Sequence, residues 1–235
     1  MFEATRARGV CRLRREGARW LSTGFGGGFT DAPAAYNVTV PEGFSRTDLG
    51  AFVAERCTDA GFDDEGPALL TGVDQRHARC ARFGPVEAVV TAGLSNPAAL
   101  PVDADSRGTA VPRADDDTPT PGTVNVVLGT TRALDAGAQA NLLALVAEAR
   151  TATLLATTGF TGTTSDAVVV ACDPSGEPTS FSGSATEVGH AARVCVRDAL
   201  RASLASRYPD DDFPDAVADA DHGVVTEGRA DVSPV

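Results

Sequence analysis

The chain has 235 residues, 43% of them apolar, and a net charge of −12 in which all 20 basic residues are Arg and none is Lys. That apolar share is enough for a sizeable core, while the missing Lys removes both the phosphate-binding amine of a P-loop and Schiff-base chemistry. An acidic surface without a basic tract gives nucleic acid no electrostatic footprint, and its carboxylate excess is the pattern of proteins from salt-loving archaea.

Taken in chain order, the Arg-rich residues 6–19 read as a short amphipathic strand or helix with solvated guanidinium heads. Residues 20–40 read as a strand, a glycine turn (STGFGGG, 22–28) and a returning strand. The spacing of Leu49, Phe52, Val53 and Cys57 predicts a helix over residues 47–60, ended by Gly61. Short apolar runs at 67–73, 76–83 and 86–92 predict an antiparallel meander. The Pro-, Asp- and Thr-rich residues 101–121 read as a mobile acidic insert. A further strand at 122–128 precedes a helix over 135–156, with Asp135 as N-cap and Ala138, Leu142, Leu145, Val146, Ala149 and Ala152 on one side. A hydroxyl-rich loop, 157–166, feeds a strand centred on 168–170, and a last helix covers 186–207. The acidic residues 209–235 read as a disordered tail. The expectation is an α+β fold, with helices packed on a mostly antiparallel mixed sheet in a single domain over residues 1–208.

Neither a membrane span nor a signal-peptide apolar run is visible. Five cysteines, an odd number with no close pair, argue against a disulfide framework or zinc knuckle and for a reducing cytoplasm. With His77, His190 and His222 scattered, no metal site is expected.

Chemistry is expected where hydroxyls, glycines and carboxylates sit at the mouths of strands. The turn glycines Gly26 and Gly27 expose backbone N–H groups that can hold an oxyanion. Asn96 and Asn125 each lie beside a hydroxyl and near a glycine at a strand end, and an Asn side chain can both donate to and accept from a substrate amide; turn chemistry explains Asn96 equally well. Glu148 falls at the border of a helical apolar stripe, where partial burial would suit a general acid or base, unless an Arg pairs with it. His190 shares a helix face with Arg197 and Arg201 and could titrate near neutrality. In the hydroxyl loop Thr161, Thr163, Thr164 or Ser165 could attack, with Asp166 as orienting carboxylate. These residues point to hydrolysis or transfer at a carbonyl.

STGFGGG (22–28), VTAGLSN (90–96), GTVNVVL (122–128), EARTATL (148–154) and TGTTSDAVVVA (161–171), followed by residues 182–190, resemble one family in content and order. It is the adenosylcobinamide amidohydrolase family of corrinoid salvage. The likeness covers about residues 20–205 and departs at Arg150, where a Lys is usual. It implies hydrolysis of the amide linking aminopropanol to the corrin ring, a corrinoid substrate, and no cofactor beyond the cobalt that the substrate itself carries. With that substrate, the residue reading above takes Glu148, Asp166 and Thr164 as the expected catalytic groups and places Gly26, Gly27, Asn96, Asn125, Thr163 and His190 around the substrate. The alternative expectation is a corrinoid carrier that binds without turnover.

Overall fold

The computed structural model describes residues 2–102, 123–220 and 222–234, so the expected insert lies almost wholly outside the described residues. The chain opens on the hairpin β1 (Glu3–Ala7) and β2 (Val10–Arg14), then β3 (Arg19–Ser22), β4 (Gly28–Asp31) and β5 (Ala34–Thr39). Helix α1 (Leu49–Asp59) leads to β6 (Ala68–Thr71), β7 (Arg79–Phe83), β8 (Val86–Thr91) and β9 (Pro97–Ala99). Beyond residue 122 come β10 (Asn125–Thr130), β11 (Ala133–Leu134), α2 (Ala136–Thr158), β12 (Gly162–Thr163) and β13 (Ala167–Cys172). The chain continues through β14 (Pro178–Thr179), α3 (Glu187–Arg207) and β15 (Val224–Val225).

The fold is α+β, with helices on mostly antiparallel sheet, but the sheet is double. A four-stranded sheet of order β1-β2-β5-β6 stacks on a six-stranded sheet of order β4-β3-β13-β10-β8-β7. The reason is in the strands themselves: β8 and β10 are buried at every position, so both of their faces must be covered. Alternate residues Val86, Ala88, Val90, Val126, Leu128, Val168 and Val170 pack under α2 and α3. The intervening Val89, Val127, Val169 and Ala171 meet Phe2, Leu13, Ala35 and Leu69 from the other sheet. That sheet's outer face, including Val10, Tyr36 and Val38, is closed by Phe44, Phe62 and Phe52 of α1. The layers therefore run α1, four strands, six strands, then α2 with α3.

Within the two large sheets, two parallel pairs interrupt the antiparallel pattern, β5 with β6 and β10 with β13, and a helix makes each crossover. The predicted meander is shifted accordingly. The 67–73 run is β6 and joins β5, while β7, β8 and β10 form the antiparallel neighbours. The predicted returning strand after the glycine turn is split by Pro33, whose missing N–H ends the ladder. β4 stays beside β3, and β5 crosses to the other sheet. In α2 the buried stripe leaves Ala152 exposed and continues through Thr153 and Leu154. Asp135 caps that helix as expected, accepting from the Ala138 N–H at 2.7 Å, and Gly159 ends it at φ +78°.

The N-terminal Arg run is β1 and β2, with its heads tied internally. Arg6 donates to the Gln75 carbonyl at 2.9 Å, and Arg12 and Arg14 pair with Asp64 at 3.1 and 3.0 Å. Within the acidic stretch 209–235, Phe213 packs edge-on against Tyr208, and the paired valines of β15 join β9 in parallel along a short sheet edge. Among the described residues no helix is long and apolar enough to cross a membrane.

Leu142 of α2 is fully buried against the six-stranded sheet. Leu142→Ala is expected to cost about 2–5 kcal/mol, read as a lower urea midpoint with an unchanged slope.

Candidate active site

Because β10 and β13 are parallel neighbours, their first residues, Asn125 and Ala167, stand side by side. The hydroxyl loop arrives at this edge, and Asp166 fastens it there. One carboxylate oxygen accepts from the Val124 N–H at 2.8 Å and from the Thr163 hydroxyl, and the other accepts from the Thr163 N–H at 2.9 Å. Arg150 of α2 supplies the counter-charge at 3.5 Å. With its lone pairs so occupied, Asp166 is an orienting group that ties the loop to β10.

Thr163 belongs to β12, which pairs with β9, and this turns the next two residues outward. Thr164 and Ser165 are exposed, whereas Asn96, immediately before β9, is fully buried beneath them. The Asn96 Nδ2 donates to Thr164 Oγ1 at 2.6 Å and to Ser165 Oγ at 3.2 Å, and its main-chain carbonyl accepts from the Thr164 N–H at 3.1 Å. Each hydroxyl thus accepts from below, which leaves its own proton for a group outside. The Thr123 hydroxyl steadies Ser165 from the side, donating to its carbonyl at 2.9 Å.

Ser165 and Asp166 border a cleft of about 260 Å³ whose other walls are Thr23, Gly24 and Phe25 of the glycine turn and the strand β6. The turn is tight because Gly26 has φ +61°, and a Cβ at Gly27 would lie 2.5 Å from the Ser22 carbonyl. Gly24 and Phe25 face the cleft; Gly26 borders the neighbouring groove, and Gly27 lines neither.

Asn96, Thr163, Thr164 and Asp166 are therefore brought together, whereas Gly26 and Gly27 stand outside the cleft and Asn125, Glu148 and His190 lie elsewhere. Asn125 is sealed inside. By strand alternation it faces the four-stranded sheet, where its Nδ2 donates to Asn37 Oδ1 at 2.9 Å and to the Leu70 carbonyl at 2.8 Å. Glu148 is not half-buried, since its side chain is 59% exposed and ion-paired with Arg193 across the two helices. The apolar stripe of α2 turns away from it, through Leu145 and Ala149. His190 is exposed, stacks edge-on against Phe83 at 5.7 Å, and borders a different groove between α2 and α3. Asn37, which anchors Asn125, is the polar residue that sequence reasoning missed. A lone Asn within the apolar run AAYNVT is the signal that marks it.

Burial pushes the thiols of Cys11, Cys57 and Cys195 up to about 11, which leaves little thiolate at neutral pH. Among the described residues no three His, Cys, Asp or Glu side chains gather to hold a metal ion.

A family model described as adenosylcobinamide amidohydrolase matches residues 2–211. The chain belongs to that family. It is 56% identical over 234 residues to the adenosylcobinamide amidohydrolase of Halobacterium salinarum, covering 99% of each chain. It is 27% identical over 197 residues to the protein of that name from Methanosarcina mazei, covering 80% of this chain and 90% of the relative. No solved structure matches it. The chain is accordingly a hydrolase acting on an amide bond.

Two substitutions separate scaffold from site. Asn125→Ala is expected to lower stability by about 1–3 kcal/mol, since it strips a donor from buried Asn37, in a thermal or urea melt. Glu148→Gln is expected to leave kcat/KM for amide hydrolysis unchanged, because it alters only an exposed ion pair.

Proposed function

We propose that this chain hydrolyses the amide that joins the aminopropanol arm of adenosylcobinamide to the corrin ring, releasing adenosylcobyric acid for re-entry into coenzyme B12 synthesis. The substrate is the one named for both relatives. The observation that carries the chemistry is the Asn96 side chain donating to two adjacent exposed hydroxyls, Thr164 and Ser165, the second of which borders the cleft. Because Asn96 occupies one lone pair on each, the hydroxyl protons of Thr164 and Ser165 are presented to the amide carbonyl. They are placed to strengthen their hydrogen bonds as the carbonyl oxygen becomes an oxyanion.

In this reading water adds to the carbonyl carbon, the C–N bond then breaks, and the amine leaves with a proton as aminopropanol. Asp166, with Arg150 behind it, keeps the loop in place through Thr163 and the Val124 N–H. Only water is consumed, and cobalt takes part solely as a component of the substrate.

Incubation with adenosylcobinamide, followed by mass spectrometry, is expected to give adenosylcobyric acid and free aminopropanol. Intact substrate retained tightly by the protein would identify a carrier instead. Ser165→Ala and Thr164→Val are each expected to lower kcat by about 10²–10³ with little change in KM, as for loss of one oxyanion donor.

A further inference from the structure

The cleft beside Ser165, at about 260 Å³, lies below the ~300–1,000 Å³ that encloses a drug-sized ligand. A corrin macrocycle with an adenosyl ligand is larger still. The cleft can therefore take the amide arm, and the ring must rest elsewhere on the surface. A groove of about 650 Å³ lies between α1 and the β3–β4 hairpin, and it is continuous with the cleft, since Phe25 and Ala68 line both. We infer that this groove is the seat of the macrocycle, a subsite for a broad, flat, cationic ring edged with primary amides. The inference rests on the amide-hydrolysis reading of the Ser165 cleft.

Shape and charge both support it. Phe25 and Phe29, 38% and 52% exposed, project from the glycine hairpin and offer large apolar faces where solvent would otherwise wet them. The groove carries Asp31, Asp63, Asp64 and Glu65, and among the described residues no Arg or His lines it. Arg19 balances Asp31, and Arg12 and Arg14 balance Asp64. Asp63 and Glu65 have no ion-pair partner among the described residues, so the groove keeps net negative charge.

An alkylcobalt(III) corrin that lacks the nucleotide phosphate keeps a single positive charge, because the ring anion and the carbon ligand offset only part of the metal's. Free carboxylates attract that cation and also accept hydrogen bonds from peripheral amide NH₂ groups. The groove between α2 and α3 has the opposite sign, with His190, Arg193, Arg197 and Arg201, and shares no wall with the Ser165 cleft. A cationic ring is turned away from it.

The test uses the full chain, adenosylcobinamide, and equilibrium dialysis at one fixed ionic strength, read by the visible absorbance of the corrin. Phe29→Ala and the double variant Asp63→Asn/Glu65→Gln alter exposed side chains, and a thermal melt checks that they fold. Both are expected to weaken binding about tenfold or more, the scale of a buried aromatic or charged contact, and to raise KM while kcat stays within about twofold. Arg197→Gln/Arg201→Gln is expected to bind like the parent. Parent-like binding by both groove variants, or weakened binding only in the arginine variant, overturns the subsite. If groove-dependent binding occurs but no aminopropanol is released, the hydrolysis reading fails and the subsite stands. Turnover that ignores the groove variants sinks the subsite alone, and a parent chain that binds no corrinoid overturns both.

Discussion

The burial of β8 and β10 on both faces is the constraint from which the rest of the molecule follows. A strand sealed above and below must satisfy every polar atom with another part of the protein, because an orphaned donor or acceptor costs about 1–3 kcal/mol. Glu87 of β8 pairs with Arg82 of the neighbouring β7, while at the other end of the strand the inner-face polar side chains pair across the gap between the sheets. Asn37 donates to the Thr91 hydroxyl at 2.8 Å and accepts from Asn125, which reaches on to the Leu70 carbonyl. Four strands from two sheets are locked in register at one point, and that point lies directly behind the cleft. The network holds the carboxyl end of β6 against the amino end of β10.

The edge of the six-stranded sheet that carries the candidate site is unusual for a parallel pair. In open parallel sheets ligands gather at the carboxyl ends of the strands. Here the site lies at the start of β10 and β13, and its other loops come from the carboxyl ends of their antiparallel neighbours β3 and β8. The glycine turn leaves β3, and Asn96 follows β8, so the antiparallel partners bring both to the same edge as the hydroxyl loop. Asp166 and Asn96 then divide the work, with one fixing the loop's backbone and the other setting the direction of its hydroxyl protons.

The local signals in the sequence were faithful where the physics is local. Helical spacing located α1 and α2, Asp135 marked the start of α2, and the glycine run located the hairpin tip. Partnership between distant strands was not legible. An apolar strand looks the same whether its second face meets a helix or another sheet, and so the double layer and the transfer of β5 and β6 to the second sheet were missed. The same blindness explains the site. Asn125 and Asn96 look alike as an Asn near a hydroxyl, yet a strand position pointing between sheets makes one internal, while a position before β9 places the other under the loop. For Glu148 the helical wheel located the edge of the stripe but not Arg193 on the adjacent helix, which draws the carboxylate outward.

The short sheet behind the loop has order β12-β9-β15, so the last strand of the described chain abuts the one that supports both Asn96 and Thr163. The His222 N–H reaches the Ser95 carbonyl at 3.2 Å, and the Thr226 N–H reaches the Ala99 carbonyl at 2.9 Å. During synthesis the chain emerges from its N-terminus, so the sheets and long helices are out of the ribosome before this brace exists. The Thr164 and Ser165 hydroxyls consequently gain this backing only after every strand of the two large sheets and all three long helices have been made, so a ribosome stalled before Val224 holds those layers complete and the candidate site without its brace.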